Sequence, residues 1–297
     1  MIGMNVPYNF GSRNTPLDEI IQNCVALGIS GVELRTQPVE AFLGVPAHLV
    51  ASGRGGRGAG TAPGGPASGR QGAGRASGPA SSDDEAARTA AAEELRRWRA
   101  AVPMDKVRLV RSRFDDAGVL IEIVKVDGIL TMSDEEIDYA FTLARNLGAR
   151  AISTEIASSG TDRLGRFADK HRMMVGYHGH APTTPAEFEA VFSQAAHNGA
   201  NLDIGHFVAG QNASPVPFIR QHHGRITHLH VKDRKMNNGP NVPFGEGDTP
   251  IREVLQLVRD NGWNIQATIE FEYPVPEGSD RMAELRRCVE YCRAALA

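Results

Sequence analysis

Histidines and carboxylates are concentrated in one part of this 297-residue chain. Of its ten histidines, all except His48 fall between His171 and His230. The motifs in that stretch are Tyr177-His178-Gly179-His180, Asp203-Ile204-Gly205-His206 and His228-Leu229-His230. Imidazole nitrogens and carboxylate oxygens are ligands for divalent metals. If a rigid scaffold points several of these side chains at one place, the motifs predict a metal site.

Short apolar runs precede these polar residues. Val175–Tyr177 is followed by His178, Asn201–Leu202 by Asp203, Ile226–Thr227 by His228, and Ala267–Ile269 by Glu270. In parallel α/β folds, the loops that leave the carboxyl ends of the strands converge on one face. Because burying an unpaired charge is costly, Asp203, His206 and His230 beside apolar runs indicate a compensating cation.

Further carboxylates lie at or near the ends of the same kind of apolar run. Glu155 ends another apolar run, and the alternation of Glu270 and Glu272 predicts that both point to the same side of a strand. A mixed nitrogen and oxygen ligand set favours manganese and also suits zinc, cobalt, iron or nickel. Magnesium stays open, although it prefers oxygen ligands. The alternative is a hydrogen-bonded polar core without metal, which the position of the whole set at successive strand ends disfavours.

Strand-like and helix-like segments alternate along the chain. Eight runs are typical of strands: Met1–Val6, Gly31–Leu34, Val119–Val126, Ala151–Thr154, Met174–Tyr177, Asn201–Leu202, Ile226–Val231 and Ala267–Phe271. Helices are expected between them, with caps at Thr15, Ser133 and Thr249. This alternation predicts a parallel sheet with helices outside, and eight strands predict a closed (β/α)8 TIM barrel. An open doubly wound sheet is disfavoured, because no glycine-rich phosphate turn follows the first strand.

We expect one TIM-barrel domain over residues 1–297, interrupted by an insertion at 52–82. That segment is almost wholly Gly, Ala, Pro, Ser and Arg. Such a composition cannot bury a core, so it predicts a flexible surface insertion before a helix that begins near Asp83. Its arginines could contact RNA or an acidic surface, but an inert insertion is favoured.

Composition limits the partners of the chain. The net charge of −3 gives no basic footprint for nucleic acid. No run approaches the roughly 20 apolar residues of a membrane span, and the amino end does not resemble an export signal. Three cysteines are too few for a cysteine-rich zinc site. We expect a cytoplasmic protein with a small-molecule substrate and neither nucleic acid nor membrane as a partner. Homo-oligomerisation, and export after removal of a signal, stay open.

The sequence resembles the sugar phosphate isomerase/epimerase family of xylose isomerase-like TIM barrels. That group includes tagatose 3-epimerase-like enzymes, inosose dehydratases and apurinic endonucleases. The resemblance covers most of the chain outside Ser52–Ser82 and is strongest in three segments, which are Asn201–His206, Ile226–Asp233 and Thr268–Glu270. It implies that Asp203, His230 and Glu270 are metal ligands from the sixth, seventh and eighth strands. It also implies that His206 contacts the substrate.

The fifth strand departs from the epimerase pattern. Epimerase relatives have a ligand glutamate at its end, where this chain has Tyr177-His178-Gly179-His180. That motif resembles the Tyr-His-x-His signature of other branches, including inosose dehydratase-like proteins. The candidates for the fourth ligand are therefore His178 and Glu155, followed by His180. The departure also leaves open the two-glutamate epimerase mechanism, which needs one acid/base on each face of the substrate carbon.

The resemblance implies a metal-dependent isomerase or epimerase of a sugar or keto-sugar. A metal that chelates a carbonyl and an adjacent hydroxyl acidifies the C–H between them and stabilises an enediolate. Glu270 or Glu155 would be the base, and the proton donor would be one of His180, His206 or Glu272. The expected substrate contacts are His178, His206, Lys232 and Glu272, with Lys232 polarising an oxygen.

Other functions stay open beside this one. A dehydratase or 3-keto-glycoside lyase would expel a β-substituent from the same intermediate. An apurinic endonuclease usually needs extra histidines on the second and third strands, and those runs contain none. A barrel could also bind sugar without turnover. The glycine-rich segment Pro243–Pro250 resembles turns that close over the substrate in relatives, but a plain loop is equally compatible with it.

Overall fold

The computed structural model describes residues 1–52 and 82–297. In those residues, eight parallel strands close into a barrel in the order β1-β10-β7-β6-β5-β4-β3-β2. The barrel strands are β1 Ile2–Val6, β2 Gly31–Arg35, β3 Leu120–Lys125, β4 Ala151–Glu155, β5 Met174–His178, β6 Asn198–Asp203, β7 Ile226–Val231 and β10 Gln266–Ile269. The predicted (β/α)8 barrel is confirmed. Of the predicted insertion at 52–82, residues 53–81 lie outside the described residues, so the insertion stays a prediction.

Helices connect the strands around the outside. They are α1 Leu17–Leu27, α2 Thr36–Phe42, α3 Ala47–Ser52, α4 Ser82–Ala101, α5 Met104–Asp116, α6 Asp134–Asn146, α7 Thr161–His171, α8 Pro185–Gln194, α9 Ile204–Gln211, α10 Val216–His222, α11 Ile251–Asp260 and α12 Arg281–Leu296. Two short strands, β8 Asp233–Arg234 and β9 Asn241–Val242, pair antiparallel after β7. Among the residues described, no helix has the length and apolarity needed to cross a membrane.

Only one of the three residues predicted as helix N-caps does cap a helix. Ser133 forms a full capping box with Glu136 at the start of α6. Thr15 does not cap α1, because its hydroxyl donates to the carbonyl of Ser12. Thr249 does not cap α11 either, since its hydroxyl accepts from the backbone N–H of Arg234 instead. In both wrong cases, a proline stands between the threonine and the helix.

The last barrel strand is shorter than the predicted Ala267–Phe271. The N–H of Glu270 still donates to the carbonyl of Val231 on β7, at 3.0 Å. The next N–H, that of Phe271, donates to the side chain of Asn9 at 2.9 Å. A strand ends where its backbone N–H groups donate to side chains instead of to the neighbouring strand. Glu270 and Glu272 therefore follow the strand on a loop instead of alternating along it.

The sixth strand begins earlier than the apolar pattern indicated. β6 includes the buried Asn198, whose side-chain amide donates to the carbonyl of Val191 at 3.0 Å. Asparagine is depleted in strands, so a pattern based on apolar residues starts only near Asn201. The bond to Val191 satisfies the buried amide and offsets the cost of burying it.

Apolar packing and polar contacts occupy different sides of the barrel wall. Residues such as Val124, Ile152 and Leu229 are fully buried in the hydrophobic core. Polar side chains contact one another between strands, where Asn5 of β1 donates to Glu270 at 2.9 Å. Asn201 of β6 likewise donates to Ser153 of β4 at 3.2 Å. The upper lumen is therefore a hydrogen-bonded polar layer.

Candidate metal centre

Four polar side chains meet at the carboxyl ends of four consecutive barrel strands. His178 ends β5, Asp203 ends β6, His230 is the penultimate residue of β7, and Glu270 follows β10. Register places Asp203 directly beside His230. One ligand atom from each residue lies within 4.8 Å of the others, and all four residues are buried. The strand-end pattern thus brings together four of the residues that the sequence predicted as ligands.

The atoms that face one another in this cluster lack regular hydrogen bonds. Within residues 1–52 and 82–297, His178 Nε2, Asp203 Oδ2, His230 Nδ1 and Glu270 Oε2 are buried and form no hydrogen bond of regular geometry, although Lys232 forms ion pairs with the two carboxylate oxygens. His178 Nε2 lies 3.5 Å from Asp203 Oδ2, and His230 Nδ1 lies 3.2 Å from Glu270 Oε2. Buried polar atoms are rarely left unpaired in proteins. Two imidazole nitrogens and two carboxylate oxygens that converge in a buried cluster fit a transition-metal cation.

Each carboxylate uses its second oxygen to hold its position. Asp203 caps α9, because its Oδ1 accepts from the backbone N–H of His206 at 2.7 Å. Glu270 Oε1 accepts from the Asn5 side-chain amide at 2.9 Å. These bonds turn Asp203 Oδ2 and Glu270 Oε2 toward the cluster. The start of α9 and the first strand therefore orient the two carboxylates.

Each imidazole is likewise held by a carboxylate on its outer nitrogen. His178 Nδ1 lies 3.0 Å from Glu155 Oε2. His230 Nε2 lies 2.6 Å from Glu33 Oε2. In both rings the other nitrogen faces the cluster. This arrangement matches the carboxylate–histidine pairs that support metal ligands in proteins.

Neighbouring positive groups balance the charge of the two carboxylates in the cluster. Burial would raise the pKa of Asp203, but His206 and Lys232 hold it well below its usual range. Burial would likewise raise the pKa of Glu270, yet His230 and Lys232 keep it well below normal. Burial opposes the charged form of His230, but Glu270 and Glu33 raise its pKa to about 10. A divalent ion would supply the positive charge that these carboxylates otherwise draw from His230 and Lys232.

Glu155 lies at the rim, outside the four-residue cluster. Its Oε1 accepts from Lys125 Nζ at 2.5 Å, and its Oε2 contacts both His178 and His180 at 3.0 Å. Against the effect of burial, His178 and Lys125 hold the pKa of Glu155 far below its usual range. The carboxylate is therefore ionised, and both of its oxygens are occupied by cationic or imidazole partners.

Two imidazoles line the entrance above the cluster. The ring of His180 stacks on that of His206, with centroids 5.0 Å apart. The side chain of His180 is 54% exposed. Burial and the neighbouring His178 lower the pKa of His180. Burial also lowers the pKa of His206 well below its usual value, despite the nearby Asp203. Both rings are neutral and able to take or give a proton.

Lys232 joins the loop carboxylates to the cluster. Its Nζ lies 2.9 Å from Asp203 Oδ2 and 2.6 Å from both Glu270 Oε2 and Glu272 Oε2. The hydroxyl of Tyr8 donates to the other oxygen of Glu272 at 2.8 Å. Glu272 is therefore joined to the centre through Lys232 and is not one of the four clustered residues.

The glycine-rich segment Pro243–Pro250 is tied to the residue after Lys232. Asp233 accepts from the backbone N–H groups of Gly245 and Gly247 at 2.8 and 3.0 Å. It also accepts from the N–H of Thr249 at 3.2 Å. A side chain at Gly247 would overlap Asp233. The turn is therefore closely packed beside the candidate centre.

Sequence reasoning missed two buried charges and misjudged a third residue. Glu33 and Lys125 interrupt the apolar strands β2 and β3, and a charge inside such a run was the available signal. His228 was expected at a strand end, but it lies inside β7. Its Nε2 is 3.3 Å from Glu33 Oε1, outside the four-residue cluster, and burial lowers its pKa to about 4.

A closed parallel barrel with a polar cluster at its carboxyl-terminal mouth defines a TIM-barrel protein with a candidate metal centre. A family model described as Xylose isomerase-like TIM barrel matches residues 135–294, more than half of the chain. The chain belongs to this family. The match includes β5 to β10 and with them all four residues of the cluster. A comparison with curated proteins found no match.

Solved structures share the fold over nearly their whole length. The probable 3-DHS dehydratase AsbF from Bacillus anthracis is 15% identical, with a TM-score of 0.61 and 97% of each chain covered. The IOLI protein with a binding zinc atom is 11% identical, with a TM-score of 0.62, and the match covers 99% of this chain and 97% of that one. D-psicose 3-epimerase from Clostridium cellulolyticum H10 is 11% identical, with a TM-score of 0.62 and coverage of 99% and 98%. At these identities the similarity shows the fold alone.

Proposed function

We propose that this protein is a divalent-metal-dependent isomerase or epimerase of a sugar or keto-sugar. The observation that carries the proposal is the convergence of four buried ligand atoms, one each from His178, Asp203, His230 and Glu270, within 4.8 Å of one another. Two structures that share the fold support it by their names, one being a D-psicose 3-epimerase and the other a protein with bound zinc.

In this proposal His178 is the fourth ligand and Glu155 is its supporting partner. Both oxygens of Glu155 are already in contact with Lys125, His178 and His180. His178 Nε2, in contrast, has no partner within the described residues and lies 3.5 Å from Asp203 Oδ2. Manganese is the favoured ion, and zinc, cobalt, iron, nickel and magnesium are the alternatives.

The bound ion would polarise a substrate carbonyl and an adjacent hydroxyl, which acidifies the C–H between them and favours an enediolate. Glu155 and His180 are the proposed proton-transfer pair on one side of the mouth. His180 Nε2 lies 3.0 Å from Glu155 Oε2, so a proton taken by either group can pass to the other. An ionised carboxylate beside a neutral, half-exposed imidazole is suited to general acid–base work.

The side chains beside this pair supply binding groups. Lys232 is a buried cation that can polarise a substrate oxygen, and Glu272 beside it can accept from a sugar hydroxyl. His206 is held from two sides, with Lys232 Nζ 3.2 Å from its Nε2 and Arg234 Nη1 2.7 Å from its Nδ1. We assign His206 to substrate contact and to proton donation.

A lyase is the second candidate. The observation that favours it is the pair of neutral imidazoles, His180 and His206, stacked at the entrance. A neutral ring that takes up the proton removed from the substrate carbon becomes an imidazolium, which could then protonate the departing hydroxyl or glycosidic oxygen. The fifth strand ends in His178, where epimerase relatives carry a glutamate. A probable dehydratase is among the proteins that share the fold.

Metal content provides the first test. We expect about one transition-metal ion per chain in protein purified without chelator. The ion should be lost in Asp203→Ala and His178→Ala and retained, with weaker binding, in Glu155→Gln. Glu122→Gln is a matched control, because Glu122 is a barrel carboxylate that pairs with Arg150 instead of the cluster. Elemental analysis of the five proteins checks this, and a metal-free wild type that manganese does not activate contradicts the proposal.

Solvent-exchange measurements then separate the two reactions. Metal-loaded protein is incubated with keto-sugars in deuterated water and followed by NMR. Deuterium at the carbon beside the carbonyl with all hydroxyls retained indicates an isomerase or epimerase. Loss of a β-substituent indicates a lyase. Metal binding without exchange on any keto-sugar would leave a binding barrel as the better description.

A further inference from the structure

Glu33 is a fully buried carboxylate that lies behind one of the proposed metal ligands. We propose that it is a positioning residue, which fixes the ring and the tautomer of His230 so that Nδ1 faces the metal centre. This inference rests on the proposed function, since it takes His230 to be a ligand. Glu33 itself does not face the four-atom cluster.

The contact crosses the barrel. Glu33 lies in the middle of β2, and β1 and β10 separate β2 from β7 in the strand order. Even so, Glu33 Oε2 lies 2.6 Å from His230 Nε2, and both side chains are 0% exposed. The opposite nitrogen, His230 Nδ1, lies 3.2 Å from Glu270 Oε2. One imidazole therefore joins the buried carboxylate to the proposed ligand set.

The contact with Glu33 determines which nitrogen of His230 carries the proton. Glu33 Oε2 lies 2.6 Å from His230 Nε2 and its Oε1 lies 3.3 Å from His228 Nε2, so both carboxylate oxygens face ring nitrogens that can donate. An ionised carboxylate only accepts hydrogen bonds, so the nitrogen that faces it must carry a proton. In a neutral imidazole the other nitrogen then has a free lone pair. Glu33 thus selects the Nε2–H tautomer, which leaves Nδ1 able to bind a cation.

Neighbouring side chains fix the carboxylate in turn. Glu33 Oε1 lies 3.3 Å from His228 Nε2, and the opposite nitrogen of His228 is 2.9 Å from the hydroxyl of Thr227. Glu33, His228 and His230 are all 0% exposed, so bulk water cannot replace a lost partner. The position of the His230 ring therefore depends on this buried network.

A second imidazole in the cluster is held by the same type of contact. His178 Nδ1 lies 3.0 Å from Glu155 Oε2, which leaves Nε2 toward the centre. Carboxylates behind histidine ligands raise the basicity of the ring and fix its orientation, and their loss typically weakens metal binding about 10- to 100-fold. Glu33 has the more buried version of this contact, and its effect is separable from proton transfer because it lies away from the mouth.

The test is metal affinity in Glu33→Gln. Glutamine has the same shape and can still accept from Nε2–H, but it removes the charge. We expect metal-free Glu33→Gln to bind manganese or zinc about 10- to 100-fold more weakly than wild type in chelator competition, with unchanged stoichiometry. Glu122→Gln, which removes a barrel carboxylate paired with Arg150, should bind like wild type. Thermal unfolding without metal verifies that both variants are folded.

Each outcome separates the two proposals. Equal affinity in Glu33→Gln and wild type overturns the positioning role alone. A change in stoichiometry from two ions to one also overturns it, because Glu33, His228 and His230 would then be ligands of a second ion. A wild type without metal affinity refutes the proposed function as well.

A measurement on wild-type protein covers the case in which Glu33→Gln does not fold. Nitrogen-15 NMR of histidine-labelled protein reports which ring nitrogen is protonated. We expect His230, identified by the loss of its signals in His230→Gln, to lose the proton on Nδ1 and keep the proton on Nε2 when zinc is added. A proton on Nδ1 in the zinc-loaded protein overturns the assignment.

Discussion

At the scale of single residues, the centre is a set of buried carboxylates whose charge must be balanced from within. Lys232 provides much of that balance, because its ammonium lies within 2.9 Å of Asp203 Oδ2 and 2.6 Å of Glu270 Oε2. Burial would lower the pKa of Lys232, but Asp203 and Glu270 raise it well above its usual value. A metal ion bound to the same two oxygens would repel the Lys232 ammonium. The ammonium would then still have Glu272 as a partner, since its Nζ lies 2.6 Å from Glu272 Oε2.

Replacing Lys232 with methionine should therefore destabilise the metal-free protein. Removing one partner from a buried ion pair leaves uncompensated charge and costs about 3–5 kcal/mol. The control is Lys235→Met, since Lys235 is 43% exposed and its pair with Asp248 spans 3.5 Å. Exposed pairs of this kind contribute at most about 1 kcal/mol. Denaturant unfolding of the metal-free variants measures both effects, and equal losses would contradict the role given to Lys232.

Metal should reverse the larger part of the Lys232→Met effect. The ion would supply the positive charge that Asp203 and Glu270 lose with the ammonium. Unfolding of the same variant with added manganese gives the measurement. No recovery would mean that Lys232 stabilises the fold independently of the metal centre.

At the scale of elements, α9 connects the cluster to the mouth of the barrel. Its first turn begins at Asp203 and carries His206, so its placement decides where both side chains point. Gly210, near its end, packs against the backbone of Ala181 after β5, and a Cβ there would overlap the carbonyl oxygen of Ala181. The helix approaches this loop so closely because position 210 has no side chain.

We expect Gly210→Ala to destabilise the protein by about 1–3 kcal/mol, the usual cost of overpacking. It should also weaken metal binding, because α9 must shift away from the mouth. Gly224→Ala is the matched control, since an added Cβ there meets no atom within 4 Å in the described part of the chain. Unfolding free energies and metal affinities of the two variants provide the comparison. Similar values for both variants would show that stability and metal affinity do not depend on the close approach of α9 to Ala181.

At the scale of the whole molecule, barrel closure is a long-range event. β1 pairs in parallel with β10, so that Ile2 lies beside Ala267. The cluster spans β5, β6, β7 and β10, and Asn5 of β1 holds Glu270. We propose that residues 1–297 fold as one barrel domain with 52–82 as an insertion. The proposed metal would then bind only when this closed arrangement has formed.

Metal should consequently stabilise the entire fold. A ligand that binds only the native state adds about 2.7 kcal/mol to the unfolding free energy when its free concentration is about 100-fold above Kd. We expect manganese to raise the thermal midpoint of wild type, excess chelator to reverse the rise, and Asp203→Ala to abolish it. A midpoint that does not change with metal, in protein shown to bind it, would place the ion outside the cooperative core.

The sequence by itself determined the barrel and most of the candidate site. Eight apolar runs with helices between them indicate parallel pairing, because apolar periodicity is a local property of the chain. Residues such as His178, Asp203 and Glu270 were identifiable because strand ends converge in this architecture. The position of Glu155 behind His178, at 3.0 Å, was not, because periodicity does not specify which nitrogen faces which oxygen.

Only the tertiary structure decided the contacts between distant parts of the chain. Glu33 reaches His230 past two intervening strands, and Asn5 and Glu270 are 265 positions apart in sequence, with no local signal for their bond. The end of β10 is another such case, since Asn9 removes the donor of Phe271 from the ladder. Lumen contacts depend on strand register and barrel closure, which set distances between residues far apart in sequence. The sequence therefore specified the groups available at the mouth, and the closed fold specified which of their atoms meet.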